Sequence, residues 1–140
     1  MPEAGLLDTS VVLALGHIAT AELPQQGAIA ALTLAELAAG PAATADPHQR
    51  AERQARLQTA EAAFDVLPFD AACARAWPRV FAATMTSNRK PRGRRAIDLM
   101  IATTALANGL PFYTANPDDV MHLAELIVVR GVRTQDARRR

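Results

Sequence analysis

Short apolar runs alternate along the chain with longer stretches whose apolar positions recur every three to four residues, and turn residues separate the two. That alternation is the signature of an α/β domain with a mainly parallel sheet. Residues 5–7 read as a first strand, ended by Asp8. Residues 11–15 would extend it by periodicity alone, but Thr9 and Ser10 make a plausible helix cap in front of them. A second strand is expected at 28–32, then a helix at 34–39 that stops at Gly40-Pro41. After a loop at 42–47, residues 48–64 form a strongly periodic helix with Leu57, Ala60, Ala63 and Phe64 on one face. A short strand at 65–68 leads to a helix at 71–86, which Pro78 is placed to bend. Residues 87–95 are a polar, basic loop. The stretch 97–108 is apolar nearly all round, as a buried helix should be, with Gly109 as its C-cap. A strand at 111–114, a short helix at 117–123 and a last strand at 126–130 complete the pattern, and a frayed tail is expected after Gly131.

At 140 residues, half of them apolar and 21% charged, the chain is expected to form one domain with a real core over residues 1–131, followed by a basic tail at 132–140. The formal net charge of +1 says little, but its distribution says more: basic residues bunch at 89–95 and 138–140. Fourteen arginines stand against one lysine, Lys90. Arginine suits phosphate binding, yet beside so much alanine the bias reads as the mark of a GC-rich genome, and only the clustering reads as functional. The single cysteine, Cys73, excludes an intrachain disulfide and a cysteine-based zinc site. Among Ala71, Ala72 and Ala74 it reads as a small buried apolar residue. Asp8 interrupts the N-terminal apolar run, no cationic region precedes it, and no stretch approaches the ~18 apolar residues of a membrane span. A cytoplasmic protein with no membrane partner is therefore expected.

The chemistry lies in carboxylates at the expected strand–helix junctions. Asp8 follows a strand, Glu36 lies just inside the next helix, Asp98 begins the buried helix, and Asp118 and Asp119 follow the strand at 111–114. In an open parallel sheet ligands collect outside the carboxyl ends of the strands. Each acid also has a plain structural explanation. Thr33-Leu-Ala-Glu36 fits a capping box, Asp98 fits a cap of its own helix, and Asn116-Pro117-Asp118-Asp119 fits a cap, a first-turn proline and acids on a helix dipole. Their conjunction favours a site. Asp8, Glu36 and Asp98 are embedded in apolar strings, and clustered, partly buried carboxylates are costly without a cation. Mg²⁺ or Mn²⁺, with oxygen ligands and retained waters, fits that need.

These residues also carry a family resemblance. Leu6-Leu7-Asp8-Thr9-Ser10-Val11-Val12 resembles the opening of PIN domains, and Leu32-Thr33-Leu34-Ala35-Glu36-Leu37 their second acidic segment. The longest match runs from Ala96-Ile97-Asp98-Leu99-Met100 through Asn108-Gly109 to Tyr113-Thr114-Ala115-Asn116. The strings arrive in the family's order and cover residues 6–120, whereas 41–93 match only in helical character. The resemblance, which extends to the VapC toxins of bacterial toxin–antitoxin pairs, implies a three-layer α/β/α fold and a metal-dependent ribonuclease. It also implies a homodimer inhibited by a VapB-type antitoxin. Asp8, Glu36 and Asp98 match the family's first three acidic positions, and Ser10 its small hydroxyl residue near the metal. At the fourth position this chain has Asn116 where many members carry Asp. A frequent variant places Asp three residues later, here Asp119, so the fourth ligand stays open between the two, as does a second metal.

The implied chemistry is attack by water on an RNA phosphodiester, with Asp8, Glu36, Asp98 and Asp119 as metal ligands and Asn116 and Ser10 in support. His17, His48 and His122 are too scattered for a histidine-based ribonuclease and read as surface or element-end residues. Arg92, Arg94 and Arg95 belong to a run of five cations in seven residues, which reads either as a solvated loop or as an RNA-backbone contact beside the acids. Aromatic residues are too few for base stacking; Trp77 and Phe81, four apart on a helix, suit the core or a dimer contact. A response-regulator receiver would need a lysine after a late strand, and Lys90 stands in a loop. A haloacid-dehalogenase phosphatase would need Asp where Ser10 sits. The remaining alternative keeps the fold and loses the chemistry: a catalytically weak PIN-like module that binds RNA or protein.

Overall fold

Five short strands with two-residue periodicity build the centre of the molecule, seen in a computed structural model that describes residues 3–135. They are β1 (Ala4–Leu7), β2 (Gln26–Ala30), β3 (Asp65–Leu67), β4 (Phe112–Thr114) and β5 (Val129–Gly131), in sheet order β3-β2-β1-β4-β5. All four pairings are parallel, with Leu6 opposite both Ala28 and Phe112. The order reverses beside β1, because the chain winds outward to β3 and then returns to place β4 on the other side. That switch point is where an open parallel sheet presents a crevice at its carboxyl edge.

Alternation divides the core between the two faces. Leu6, Ala28, Ala30 and Phe112 face α4 (Ala71–Thr86) and α5 (Arg94–Ala107), packing against Val80, Leu99, Ile101 and Ala105. Leu7, Ile29 and Tyr113 face the other way, against Val11 and Val12 of α1 (Thr9–Leu13), Leu37 of α2 (Ala31–Ala39) and Ala60 of α3 (Pro47–Ala63). The result is the expected three-layer α/β/α sandwich. Gly5 is required by this packing, since a Cβ there would run into the Tyr113 ring. Cys73 is fully buried, as its neighbours suggested. No helix among the described residues is long and apolar enough to cross a membrane.

Several boundaries differ from the sequence reading. β2 ends at Ala30 and α2 begins at Ala31, three residues earlier than expected, so Thr33 lies inside the helix and is fully buried. The capping box is therefore absent: Ala30 is the N-cap and offers no side-chain bond. α5 begins at Arg94, behind Gly93 at φ +62°, which takes Arg94 and Arg95 out of the loop and puts Asp98 one turn inside the helix. Asp98 caps nothing. The helix expected at 117–123 is two 3₁₀ turns, Pro117–Asp119 and Met121–Leu123, and Asn116 makes no side-chain cap. Ala63 faces solvent rather than the core. Residues 132–135 of the expected tail are not frayed: Val132 is buried, Thr134 bridges to Ile18, and Gln135 N–H donates to the His17 carbonyl at 2.6 Å. The rest of that tail, including Arg138–Arg140, lies outside the described residues.

Candidate active site

The carboxyl edge of β1 and β4 is organised around Asp8. Its backbone is extended (φ −63°, ψ 156°), so the residue ends β1 and caps α1, with Oδ1 accepting from Thr9 N–H at 2.9 Å. Oδ2 accepts from Ser10 Oγ at 2.8 Å and from Thr114 Oγ1, at the end of β4, at 3.0 Å. Each hydroxyl is held in turn: Ser10 Oγ accepts from Ala115 N–H at 3.1 Å, and Thr114 Oγ1 from Asn116 N–H at 3.0 Å. One carboxylate thus ties the ends of two adjacent strands together. Burial raises its pKa above the ordinary carboxylate value against these three stabilising hydrogen bonds, and the charge of Glu36 pushes the same way.

Glu36 reaches the same edge from the second turn of α2, with its side chain 20% exposed. Its Oε1 accepts from Thr9 Oγ1 at 2.9 Å, and Thr9 Oγ1 lies 2.9 Å from Thr33 Oγ1. An ionised carboxylate only accepts, so the proton order is fixed as Thr33 to Thr9 to Glu36. Its Oε2 forms an ion pair with Arg94. Arg94 also reaches Asp98 Oδ1, one turn on, with its Nε at 3.6 Å. Asp98 has a raised pKa: burial is the largest cause, Arg94 opposes it, and the charges of Asp8, Glu36 and Asp119 add to it. Asp119 therefore lies within electrostatic reach of Asp98 even though its own side chain is exposed.

The structure brings Asp8, Ser10, Glu36, Asp98 and Arg94 together at the carboxyl edge of the sheet, with Asp119 near enough for its charge to be felt at Asp98. Asn116 enters through its backbone N–H, with its side chain exposed. Arg92 and Arg95 are exposed and tied to no carboxylate by any described ion pair, and the charge of Arg95 is felt at His122. Thr9, Thr33 and Thr114 escaped the sequence reading. The signal for them was present: hydroxyls inside apolar strings, such as Leu32-Thr33-Leu34, must find partners once buried. His122 is half-buried rather than at the surface, 3.0 Å from Thr84 Oγ1.

Among the described residues no three Asp, Glu, His or Cys side chains converge in metal-coordinating geometry. The Arg94 guanidinium bridges Glu36 and Asp98, so a cation already sits where the acids would otherwise face one another. The donor set still fits a hard divalent ion. Four carboxylates at one edge with a single ion-pairing arginine leave negative charge to be neutralised, and Mg²⁺ keeps several waters rather than demanding an all-protein cage.

A parallel three-layer fold with acids at its β1–β4 switch point defines a class, and comparison with known proteins agrees. The PIN domain family model matches residues 6–126, and the chain belongs to that family. It is 38% identical over 120 residues to Ribonuclease VapC5 of Mycobacterium tuberculosis (strain ATCC 25618 / H37Rv), an alignment covering 84% of this chain and 86% of that one. It is similar in structure to a member of the VapBC family of toxin–antitoxin systems, VapBC-5 from Mycobacterium tuberculosis. There the TM-score is 0.79 at 37% identity, over 95% of this chain and 100% of that one. VapBC-1 from nontypeable Haemophilus influenzae shares the fold, with a TM-score of 0.71 at 18% identity over 91% and 97% of the two chains.

Proposed function

We propose that this chain is a Mg²⁺- or Mn²⁺-dependent ribonuclease and the toxin half of a VapBC-type pair. The observation that carries the reading is the gathering of acids: Glu36 and Asp98 share Arg94, Asp8 stands beside them at the carboxyl edge of the sheet, and burial first, with the charge of acidic neighbours adding to it, raises the pKa values of Asp8 and Asp98. The similarity to a ribonuclease VapC over most of both chains supports it. A divalent cation held there supplies a lowered water pKa and neutralisation of charge on the phosphoryl oxygens.

The chain's own residues do the rest. Asp8, Glu36 and Asp98 would hold the ion, and Asp119 would complete or extend that set. Ser10 and Thr114 fix the Asp8 carboxylate by occupying Oδ2, and the Thr33–Thr9 relay fixes Glu36. With these oxygens held, the acids need no reorganisation when substrate arrives. Arg92 and Arg95 bind the RNA backbone at the rim, where their charge offsets repulsion between phosphate and acids. Arg94 is now paired with Glu36 and Asp98, and its guanidinium would be available to a phosphate if those carboxylates held a cation. The partners are RNA, a second copy of the chain and a VapB-type antitoxin, the last supported by the VapBC complexes this fold resembles.

The alternative, a catalytically weak module binding RNA or protein, draws on Asn116 standing where a carboxylate is expected. Cleavage assays on chelator-stripped protein separate the two. Restored Mg²⁺ or Mn²⁺ should produce RNA cleavage that Asp98→Asn abolishes, and its absence with both ions would leave only binding.

A further inference from the structure

The C-terminus of α4 closes in a reversal that the catalytic reading does not use. Asn88 N–H donates to the Met85 carbonyl at 3.0 Å and Arg89 N–H to the Thr84 carbonyl at 3.2 Å, with Asn88 at φ +64°. These are the paired bonds of a Schellman motif, and asparagine is among the few residues besides glycine that enter its left-handed position. The reversal sends Arg89 toward the 3₁₀ turn Pro117–Asp119. There its guanidinium donates to the Asp119 carbonyl at 2.9 Å and to the Asp118 carbonyl at 3.3 Å. The turn's own backbone bonds run from Asp119 N–H to the Asn116 carbonyl and from Val120 N–H to the Pro117 carbonyl. They leave the Asp118 and Asp119 carbonyls to the arginine. A planar fork on two successive carbonyls fixes both the place and the rotation of the peptide between them, which a lysine's point charge would not do.

We propose that Arg89 is a positioning residue for the acidic site: it locks the turn carrying Asp119 against the end of α4 and so holds that carboxylate at the rim beside Asp98. The inference rests on the reading of Asp119 as a cation ligand. Electrostatics agree with the placement, since the charge of Asp119 is felt at Asp98. It also separates Arg89 from the phosphate-binding role of the neighbouring cations. Two of its donors are committed within the fold, and it is less exposed than Arg92 and Arg95.

The test is Mn²⁺ binding to RNA-free protein, by calorimetry, in the wild type, Arg89→Ala, Arg89→Lys, Asp119→Asn and the double variant Arg89→Ala/Asp119→Asn. Arg89→Ala should weaken Mn²⁺ binding about tenfold, the lower end for loss of a group that orients a ligand. Arg89→Lys should recover part of that loss. In metal-free Arg89→Ala, amide exchange at Asp119 and Val120 should quicken while the α5 amides stay protected. Because the effect runs through Asp119, Arg89→Ala should add nothing in the Asp119→Asn background. Wild-type Mn²⁺ affinity in Arg89→Ala, with Asp119→Asn weakened, would overturn the inference and leave the Asp119 ligand standing. Full affinity in Asp119→Asn would instead remove that ligand, while additive losses would show Arg89 acting elsewhere. Should Arg89→Ala not fold, Arg89→Gln, which keeps one donor group, is measured beside Arg89→Lys; wild-type affinity and exchange in both would overturn the proposal.

Discussion

Replacing Asp8 by Asn separates the charge of this residue from its structural work. Asn Oδ1 can keep the bond from Thr9 N–H, while Nδ2 replaces the oxygen that now accepts from Ser10 and Thr114. Both hydroxyls already accept a backbone N–H, and each has a second lone pair free to receive the new amide once it rotates. Three hydrogen bonds to a charged acceptor become three neutral ones, each weaker by roughly 0.5–1 kcal/mol. Against that loss stands removal of a buried charge. The raised pKa of Asp8 shows that burial and Glu36 together outweigh the three bonds in the metal-free fold. Metal-free Asp8→Asn should therefore melt at or slightly above the wild-type temperature, within about 3 °C, which corresponds to about 1 kcal/mol at this size. With cation present the sign reverses. A lost ligand should cost more than the roughly 100-fold seen when only a supporting partner is removed, and cleavage should fall at least as far. The assays are calorimetric melting with chelator, melting with Mn²⁺, and cleavage of a labelled RNA. Wild-type cleavage by Asp8→Asn, or a metal-free protein destabilised by several kcal/mol, would refute the reasoning.

Asp119→Asn should raise the metal concentration needed for cleavage, and Asp118→Asn should do little, because of the two it is Asp119 whose charge is among the leading influences on Asp98; the reverse outcome in metal titrations would show that the 3₁₀ turn presents the other acid. Asn116→Ala should have only a small effect, since Asn116 contributes its backbone N–H and not its side chain. Changing Arg92 and Arg95 together to Ser should flatten the salt dependence of RNA binding by about 1.4 in log–log slope, at roughly 0.7 per single-strand phosphate contact, and an unchanged slope would make them a solvated face. Arg94→Ser should instead move the Asp98 titration, followed by carboxyl NMR, further up, because Arg94 is the group that now pulls it down. In the metal-free protein Asp8 and Asp98 have raised folded pKa values, so the folded state binds more protons than the unfolded one just above the ordinary value of 3.8. Their contribution to stability should therefore fall as pH rises through that window and then level off. Asp70 makes an opposite and lower-lying contribution, because the Cys73 N–H lowers its pKa, so the slope is read as the difference between wild type and Asp8→Asn. Melting from pH 3.5 to 7 checks the sign, and the fall should shrink when Mn²⁺ is present near neutrality.

Local pattern was enough to order the elements, because strand and helix periods survive in any packing. It also picked out Asp8, Glu36 and Asp98 as acids inside apolar strings, although only Asp8 stands at a junction, with Glu36 in the second turn of α2 and Asp98 one turn inside α5. It misjudged the starts of α2 and α5, and with them the cap expected of Thr33 and the loop position of Arg94 and Arg95. Propensity and capping rules locate a helix end only by its best local cap. Here Ala30 makes no side-chain bond, and α5 begins behind a left-handed Gly93 instead of a polar cap. Which acids meet was decided by the winding of the sheet: residues 8 and 114 are neighbours only because β4 returns to pair with β1. The Thr33–Thr9–Glu36 relay, the Arg94 bridge between Glu36 and Asp98, and the grip of Arg89 on the Asp119 turn all join segments far apart or a full turn apart. Such contacts depend on side-chain direction after packing, which no periodicity along the chain encodes.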